Sequence, residues 1–272
     1  MIQTSNVRDQ EASSKLVDFI TQARIQGPQL IVDVQGTEYC IKAICVLIIF
    51  MPTKNHLATI FVDGPDILIR PGTDGTTIKG LLENPAIPKG FFDVRKASNA
   101  FYKHFGITLQ GVMDIQLMEC ALRKNMYKDQ SRRELFSLGD CAERGLSAVP
   151  PLPVTSDKIK QWKYTAIHAS HKLEVKKGGS ETVWSIWRPI FPLRTYTSTQ
   201  VQILALLCEY YWKRMGDDEK KDVSLMSSKR VMESLELKRE PREVERMLPW
   251  WDSGMVENEV AKVRAERQLT IN

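Results

Sequence analysis

Residues 85–123 read PAIPKGFFDVRKASNAFYKHFGITLQGVMDIQLMECALR, and this stretch decides the fold. Gly90–Val94 is a short apolar run of strand type. A polar turn and an amphipathic stretch follow, ending near His104, with Gly106 placed to stop a helix. A second strand-to-helix corner comes at Val112–Leu117. Apolar run, polar turn and amphipathic helix, taken twice in succession, predict an α/β layered domain.

Upstream, Leu30–Gly36 (LIVDVQG) is a buried strand that runs into a glycine. Ile41–Met51 is a second, strongly apolar strand stopped by Pro52, and Leu57–Asp63 is a third. Residues 1–10 are polar and read as loose. A first helix is expected over Lys15–Ile25, capped by Ser13 or Ser14, with Leu16, Phe19, Ile20 and Ala23 on one face. Gly27-Pro28 ends it. Gly64–Thr77 is dense in turn residues and reads as a surface loop, before a short helix at Ile78–Glu83.

Downstream, the charged stretch 124–133 leads into a helix containing LFSLGDCAERGL. Ala148–Ser156 (AVPPLPVTS) is a stiff, proline-rich connection. Helices are expected over Asp157–Leu173, Thr195–Met215 and Val223–Leu237, with a charged helix at the end of the chain. Three strands, two strand–helix units and a helical tail suit a mixed five-stranded sheet flanked by helices. The chain divides into an N-terminal arm and helix (1–28), a principal domain (29–215) and a helical extension (216–272).

With 272 residues, 43% hydrophobic and 26% charged, the composition is that of a soluble globular protein. The net charge of +5 is a mild bias that suits a nucleic-acid partner without demanding one. Five scattered cysteines form no Cys-x-x-Cys pair, which points to reduced thiols in the cytoplasm or nucleus. The longest apolar run, Ala43–Met51, is far below the ~20 residues that cross a bilayer, and the N-terminus lacks the apolar core of a secretory signal. There is no Gly-x-Ser-x-Gly elbow, no His-Glu-x-x-His helix and no phosphate loop: Gly72-Thr-Asp-Gly75 lacks the Gly-Lys-Ser/Thr ending. His104, His168 and His171 carry no metal-ligand spacing.

Pro-Lys-x-Phe-Phe-Asp-Val-Arg, a helix, His-Phe-Gly-Ile and then Val-x-Asp-x-Gln-Leu together resemble the core of 3′-5′ exonuclease domains related to ribonuclease D, in the fungal branch of the DEDD superfamily. Further matches are Met-Pro-Thr-Lys-Asn-His after the second strand, Cys-Ala-Glu-Arg-Gly-Leu at 141–146, Gly-Gly-Ser at 178–180 and Arg188-Pro189. The resemblance spans about Leu30 to Trp250. It implies a ribonuclease H-like fold for residues 29–215, and hydrolysis of the terminal phosphodiester by two divalent cations. In that family the ions are held by an Asp-x-Glu on the first strand, an Asp on the helix after the fourth strand and an Asp on a late helix. A Tyr or His four residues before the last Asp orients the water.

On this resemblance the catalytic positions are Asp33, Gln35, Asn99, Tyr196 and Gln200. Period two puts Asp33 and Gln35 on one sheet face, and a spacing of four puts Tyr196 and Gln200 on one helix face. Three of the four carboxylate positions are occupied by neutral amides. Amides bring no charge and present N–H₂ donors, whereas Mg²⁺ sheds its waters reluctantly and is drawn in by carboxylates. Asp33 alone is expected to hold metal, weakly; Mg²⁺ or Mn²⁺ is the cofactor only if activity survives, and no tightly bound cofactor is expected. Asp93 and Asp114 read as a loop-capping residue and a helix N-cap rather than as substitute ligands.

Lys54, Lys79, Lys89, Arg95, Lys96 and Lys103 lie on segments that border the expected cleft. Of these, Lys54, Arg95, Lys96 and Lys103 are the candidate nucleic-acid contacts. Tyr102, Trp184 and Trp187 are candidate stacking surfaces. The expectation is a catalytically decayed exonuclease-like domain that binds single-stranded nucleic acid, or serves as an adaptor to a partner protein, away from membranes. The alternatives are an active metal-dependent 3′-5′ exonuclease and a protein-interaction scaffold without a nucleic-acid ligand.

Overall fold

The computed structural model describes residues 2–22, 30–36, 44–126, 135–147 and 191–236. Six strands lie among them: β1 (Gln3–Val7), β2 (Leu30–Gly36), β3 (Ile44–Met51), β4 (His56–Phe61), β5 (Lys89–Phe91) and β6 (Val112–Asp114). They form one mixed sheet in the order β1-β4-β3-β2-β5-β6. β2, β3 and β4 are an antiparallel meander, whereas β5 and β6 join β2 in parallel. β2 therefore stands where the antiparallel meander meets the parallel crossovers. In α/β sheets ligands gather beyond the carboxyl ends of strands at such a switch in connectivity.

Helices cover both faces: α1 (Gln10–Thr21), α2 (Asp66–Ile69), α3 (Ile78–Glu83), α4 (Val94–Phe105), α5 (Ile115–Met126), α6 (Leu138–Ser147), α7 (Phe191–Trp212) and α8 (Asp217–Leu235). This is the ribonuclease H-like arrangement of a mixed sheet between helical layers. The expected helix at 157–173 and the charged helix at the end of the chain lie outside the described residues.

The sheet has six strands rather than the expected five, because residues 3–7 are not loose. They pair in parallel with β4, Gln3 opposite His56 through Val7 opposite Ile60. As an edge strand β1 buries only Val7, so its apolar signal is faint, and backbone pairing holds it. Helix α1 starts at Gln10 instead of Lys15: Asp9, not Ser13 or Ser14, is the cap, its carboxylate accepting from the Ala12 N–H at 2.8 Å. The two serines donate elsewhere, Ser13 Oγ to the Ile67 carbonyl at 2.6 Å and Ser14 Oγ to that of Pro71 at 2.8 Å. Within the stretch read as a surface loop, α2 buries Ile67 and Leu68 against the sheet layer.

Alternation along β2 divides the core. Val32 and Val34 face the layer with Leu16, Val17, Leu81 and Phe101, while Ile31 faces the layer with Met118, Leu204 and Leu207. Asp33 and Gln35 share the parity of Ile31 and so point to the α7 side. Gly106, at φ 59°, closes α4 as expected, its N–H bonding the Tyr102 carbonyl at 3.0 Å.

Candidate functional site

Asp33 is the centre of a small polar cluster at the carboxyl half of β2. Its Oδ2 accepts the Gln35 Nε2–H at 2.6 Å and the Gln200 Nε2–H at 3.1 Å. Gln35 is on the same strand two residues on, and Gln200 is delivered by α7. Tyr196 lies one helical turn before Gln200. Burial, and secondarily the charge of Asp33, push its phenol above the usual tyrosine range.

Burial raises the Asp33 carboxyl to about 6, and the hydrogen bonds from Gln35, the Val34 backbone and Gln200 only partly oppose it. A cluster of cations or strong donors would have driven it the other way. Gln200 Oε1 is buried with no hydrogen-bond partner among the described residues. Among those residues no group of three or more His, Cys, Asp or Glu side chains could hold a metal ion.

Asn99, on α4, is fully buried, and its amide is engaged elsewhere. Its Nδ2 donates to the Ser234 carbonyl of α8 at 2.7 Å, and the neighbouring Ser98 Oγ donates to that of Val231 at 3.4 Å. The structure thus gathers Asp33, Gln35, Gln200 and Tyr196, and directs the Asn99 amide toward α8.

The basic residues divide in the same way. Lys54 Nζ donates to the Phe19 carbonyl at 3.0 Å and sits 4.1 Å from the centre of that ring. Lys89 is not at a cleft at all. It is fully buried, donating to the carbonyls of Leu81, Asn84 and Ile87 at 3.0, 2.8 and 2.7 Å, and burial lowers its pKa to about 7. Lys79 Nζ caps the carbonyl of Gly106 at 2.7 Å. Arg95 grips Asp93 through both Nε (2.6 Å) and Nη2 (2.9 Å). Lys96 is half-buried, and Lys103 is exposed on α4 beside Tyr102, which is 45% exposed. Trp184, Trp187, His168 and His171 lie outside the described residues.

Asp93 and Asp114 belong to a second polar cluster at the carboxyl ends of β5 and β6. Asp114 Oδ1 accepts the backbone N–H groups of Asp93 and Gln116, and Oδ2 that of Val94, each at 3.1 Å, so it holds the starts of α4 and α5 together. Arg230 of α8 reaches Asp114 Oδ2 at 2.7 Å. Ser227 Oγ accepts the Asp114 N–H at 2.9 Å. Sequence reasoning missed both α8 residues. The signal available was the stripe Val223, Ser227, Arg230, Val231 and Ser234, which helical periodicity places on one face.

No protein-family model matches the chain, and no curated protein sequence does. Solved structures do match in fold. Ribonuclease D of Trypanosoma brucei in complex with GMP aligns at 17% identity with a TM-score of 0.65, over 87% of this chain and 65% of that one. The chain therefore spans less than two thirds of that relative. The same enzyme in complex with RNA U12 aligns at 16% identity and a TM-score of 0.66, over 94% of this chain and 79% of that one. The catalytic core of RRP6 from Trypanosoma brucei aligns at 13% identity and a TM-score of 0.55, over 89% of this chain and 54% of that one. At these identities the likeness is one of fold.

Proposed function

We propose that this chain is a 3′-5′ exonuclease-type domain whose metal chemistry has decayed and which binds single-stranded nucleic acid, RNA or DNA. One observation carries the reading: the Asp33 carboxylate is met by two amide N–H donors, from Gln35 and Gln200. Those donors stand where further carboxylates would be needed to hold two divalent cations for phosphodiester hydrolysis. They add no negative charge, and they use the oxygen that a cation would take. The residues present do not fit a two-metal centre.

On α4, which packs on the sheet face opposite to that of Asp33, Tyr102 and Lys103 are exposed side by side, an aromatic and a cation of the kind that accept unpaired bases and phosphates. One neighbour in fold is a ribonuclease D in complex with RNA, which supports the same ligand class for this chain.

The test is fluorescence anisotropy of labelled single-stranded RNA and DNA across a salt series, run beside a 3′-end shortening assay with Mg²⁺ and Mn²⁺. Binding that weakens steeply with salt, through counterion release, and no shortening are expected. Shortening that disappears in Asp33→Asn would make the chain an active exonuclease. Absence of any salt-sensitive binding would favour an adaptor or scaffold acting through protein contacts.

A further inference from the structure

His56 opens β4, and its ring meets both the edge strand β1 and helix α1. Nε2 lies 2.9 Å from Ser5 Oγ of β1. Nδ1 is buried with no hydrogen-bond partner among the described residues. A buried N–H without an acceptor is costlier than a buried acceptor without a donor, so the neutral ring carries its proton on Nε2 and donates it to Ser5. The Phe19 ring of α1 stands 4.8 Å from the imidazole, centre to centre. Lys54 Nζ sits 4.1 Å from the centre of that same Phe19 ring.

Among the described residues no acid balances these two bases. β1 (QTSNV) and β3 (ICVLIIFM), which flank β4, carry no charged residue. On α1, Glu11 is paired with Lys15 at 2.6 Å. Asp18 is taken by Thr73, its Oδ1 accepting the backbone N–H at 2.6 Å and its Oδ2 the hydroxyl at 2.8 Å. Lys54 is the charged group that acts on His56: burial first, and then the Lys54 ammonium, hold the imidazole below its ordinary 6.5.

We propose that His56 is a proton-operated latch on β1, closed while its ring is neutral and loosened when the ring becomes a second cation beside Lys54. The bond to Ser5 does not itself break, because Nε2 donates in both forms. What changes is Nδ1, which gains an N–H with nothing to accept it, and the charge set against Lys54. Water relieves both, and β1 is the wall that yields, an edge strand that buries Val7 alone. Its departure bares the backbone edge of β4, whose HLATIF sequence is largely apolar, to pairing with another strand. The unfolded chain takes up this proton more readily than the folded one, so the latch is fully closed above about pH 6.5 and loosens as pH falls below it. The latch is independent of the Asp33 cluster, whose titration acts on stability with the opposite sign.

The experiment is hydrogen exchange of the full chain at about pH 7.5 and about pH 5, corrected for the pH dependence of the intrinsic rate. Protection at Gln3–Val7 is expected to fall by about threefold or more at the lower pH, relative to protection at α7. The fall is expected to vanish in His56→Gln, which keeps an amide N–H for Ser5 but cannot titrate, and to shrink in Lys54→Met. Protection at β1 that follows α7 at both pH values overturns the proposal, as does a fall that persists in His56→Gln. Should the variants not fold, nuclear magnetic resonance of the wild-type imidazole decides. A His56 ring that titrates at or above about 6.5 in the folded chain overturns the latch, and one that titrates below it, in step with the loss of β1 protection, bears it out.

Discussion

Gln200 donates its amide N–H to the carboxylate of Asp33 at 3.1 Å, joining α7 to β2 across 167 positions of sequence. With Gln35 at 2.6 Å on the same oxygen, a single negative charge is held by neutral donors alone. Such donors stabilise the ionised form less than cations do, and burial wins, leaving the carboxyl at about 6.

The folded-state pKa of Asp33 thus lies above its ordinary 3.8. The folded chain holds a proton there that the unfolded chain has lost, so the associated stability is full below about pH 3.8 and disappears as pH rises through about 6. Asp33→Asn has nothing to titrate. Between about pH 4 and about pH 7 its stability should gain on the wild type by on the order of 1–2 kcal/mol, allowing for the partial exposure of the residue. Urea unfolding of both proteins at the two pH values measures this, and an unchanged difference would rule the titration out.

Asn99→Asp should destabilise. The Asn99 amide donates to the Ser234 carbonyl in a fully buried contact between α4 and α8. A carboxylate there would face a carbonyl oxygen with no proton to offer, at a cost of about 2–4 kcal/mol. Denaturant midpoints read it directly. A neutral or stabilising outcome would mean that the side chain turns away from α8.

Lys89→Met should cost about 2–4 kcal/mol despite its good fit in volume. The carbonyls of Leu81, in a buried contact, and of Asn84 and Ile87, in partly buried ones, would lose their shared donor. These acceptors gather the end of α3 and the turn before β5. Local hydrogen exchange at residues 81–88 should rise more than in the distant α7, which separates a local effect from global loosening.

The geometry around Asp33 was legible in part. Alternation in LIVDVQG places Asp33 and Gln35 on one sheet face, and the four-residue step from Tyr196 to Gln200 places both on one helix face. Both periodicities are local and survive whatever packs against them. Asn99 was not legible, because α4 has more than one buried face and only the course of α8 decides which side chain meets it. Lys89 misled for a related reason. A lysine beside an apolar run reads as a rim residue, yet the turn before it supplies three carbonyls that take its charge inward. The cap of α1 was obscured by three short polar residues within two turns, and β1 by the polarity that edge strands share with loops.

Gln35→Glu combined with Gln200→Asp should confer divalent-cation binding that neither change gives alone. Both amides already reach the same oxygen of Asp33, so carboxylates on these two backbones would face it, the aspartate at 200 one methylene further back than the present glutamine. In the single variants a neutral amide still donates to Asp33. In the double variant three like charges remain, which repel one another without metal and are neutralised with it. The double variant should therefore be less stable than the wild type in chelator and recover in Mn²⁺, a crossing that thermal melts in the two buffers would show. Asn99→Asp should be left out, since it removes the α8 contact. Whether 3′-end shortening returns with the metal is the further readout. Activity in the double variant that Asp33→Asn abolishes would place phosphodiester hydrolysis at this cluster. Mn²⁺ binding without activity would mean that groups to guide the phosphate and the water are lacking beside the metal. A double variant no more responsive to Mn²⁺ than the wild type would show that Gln35 and Gln200 do not stand at metal positions.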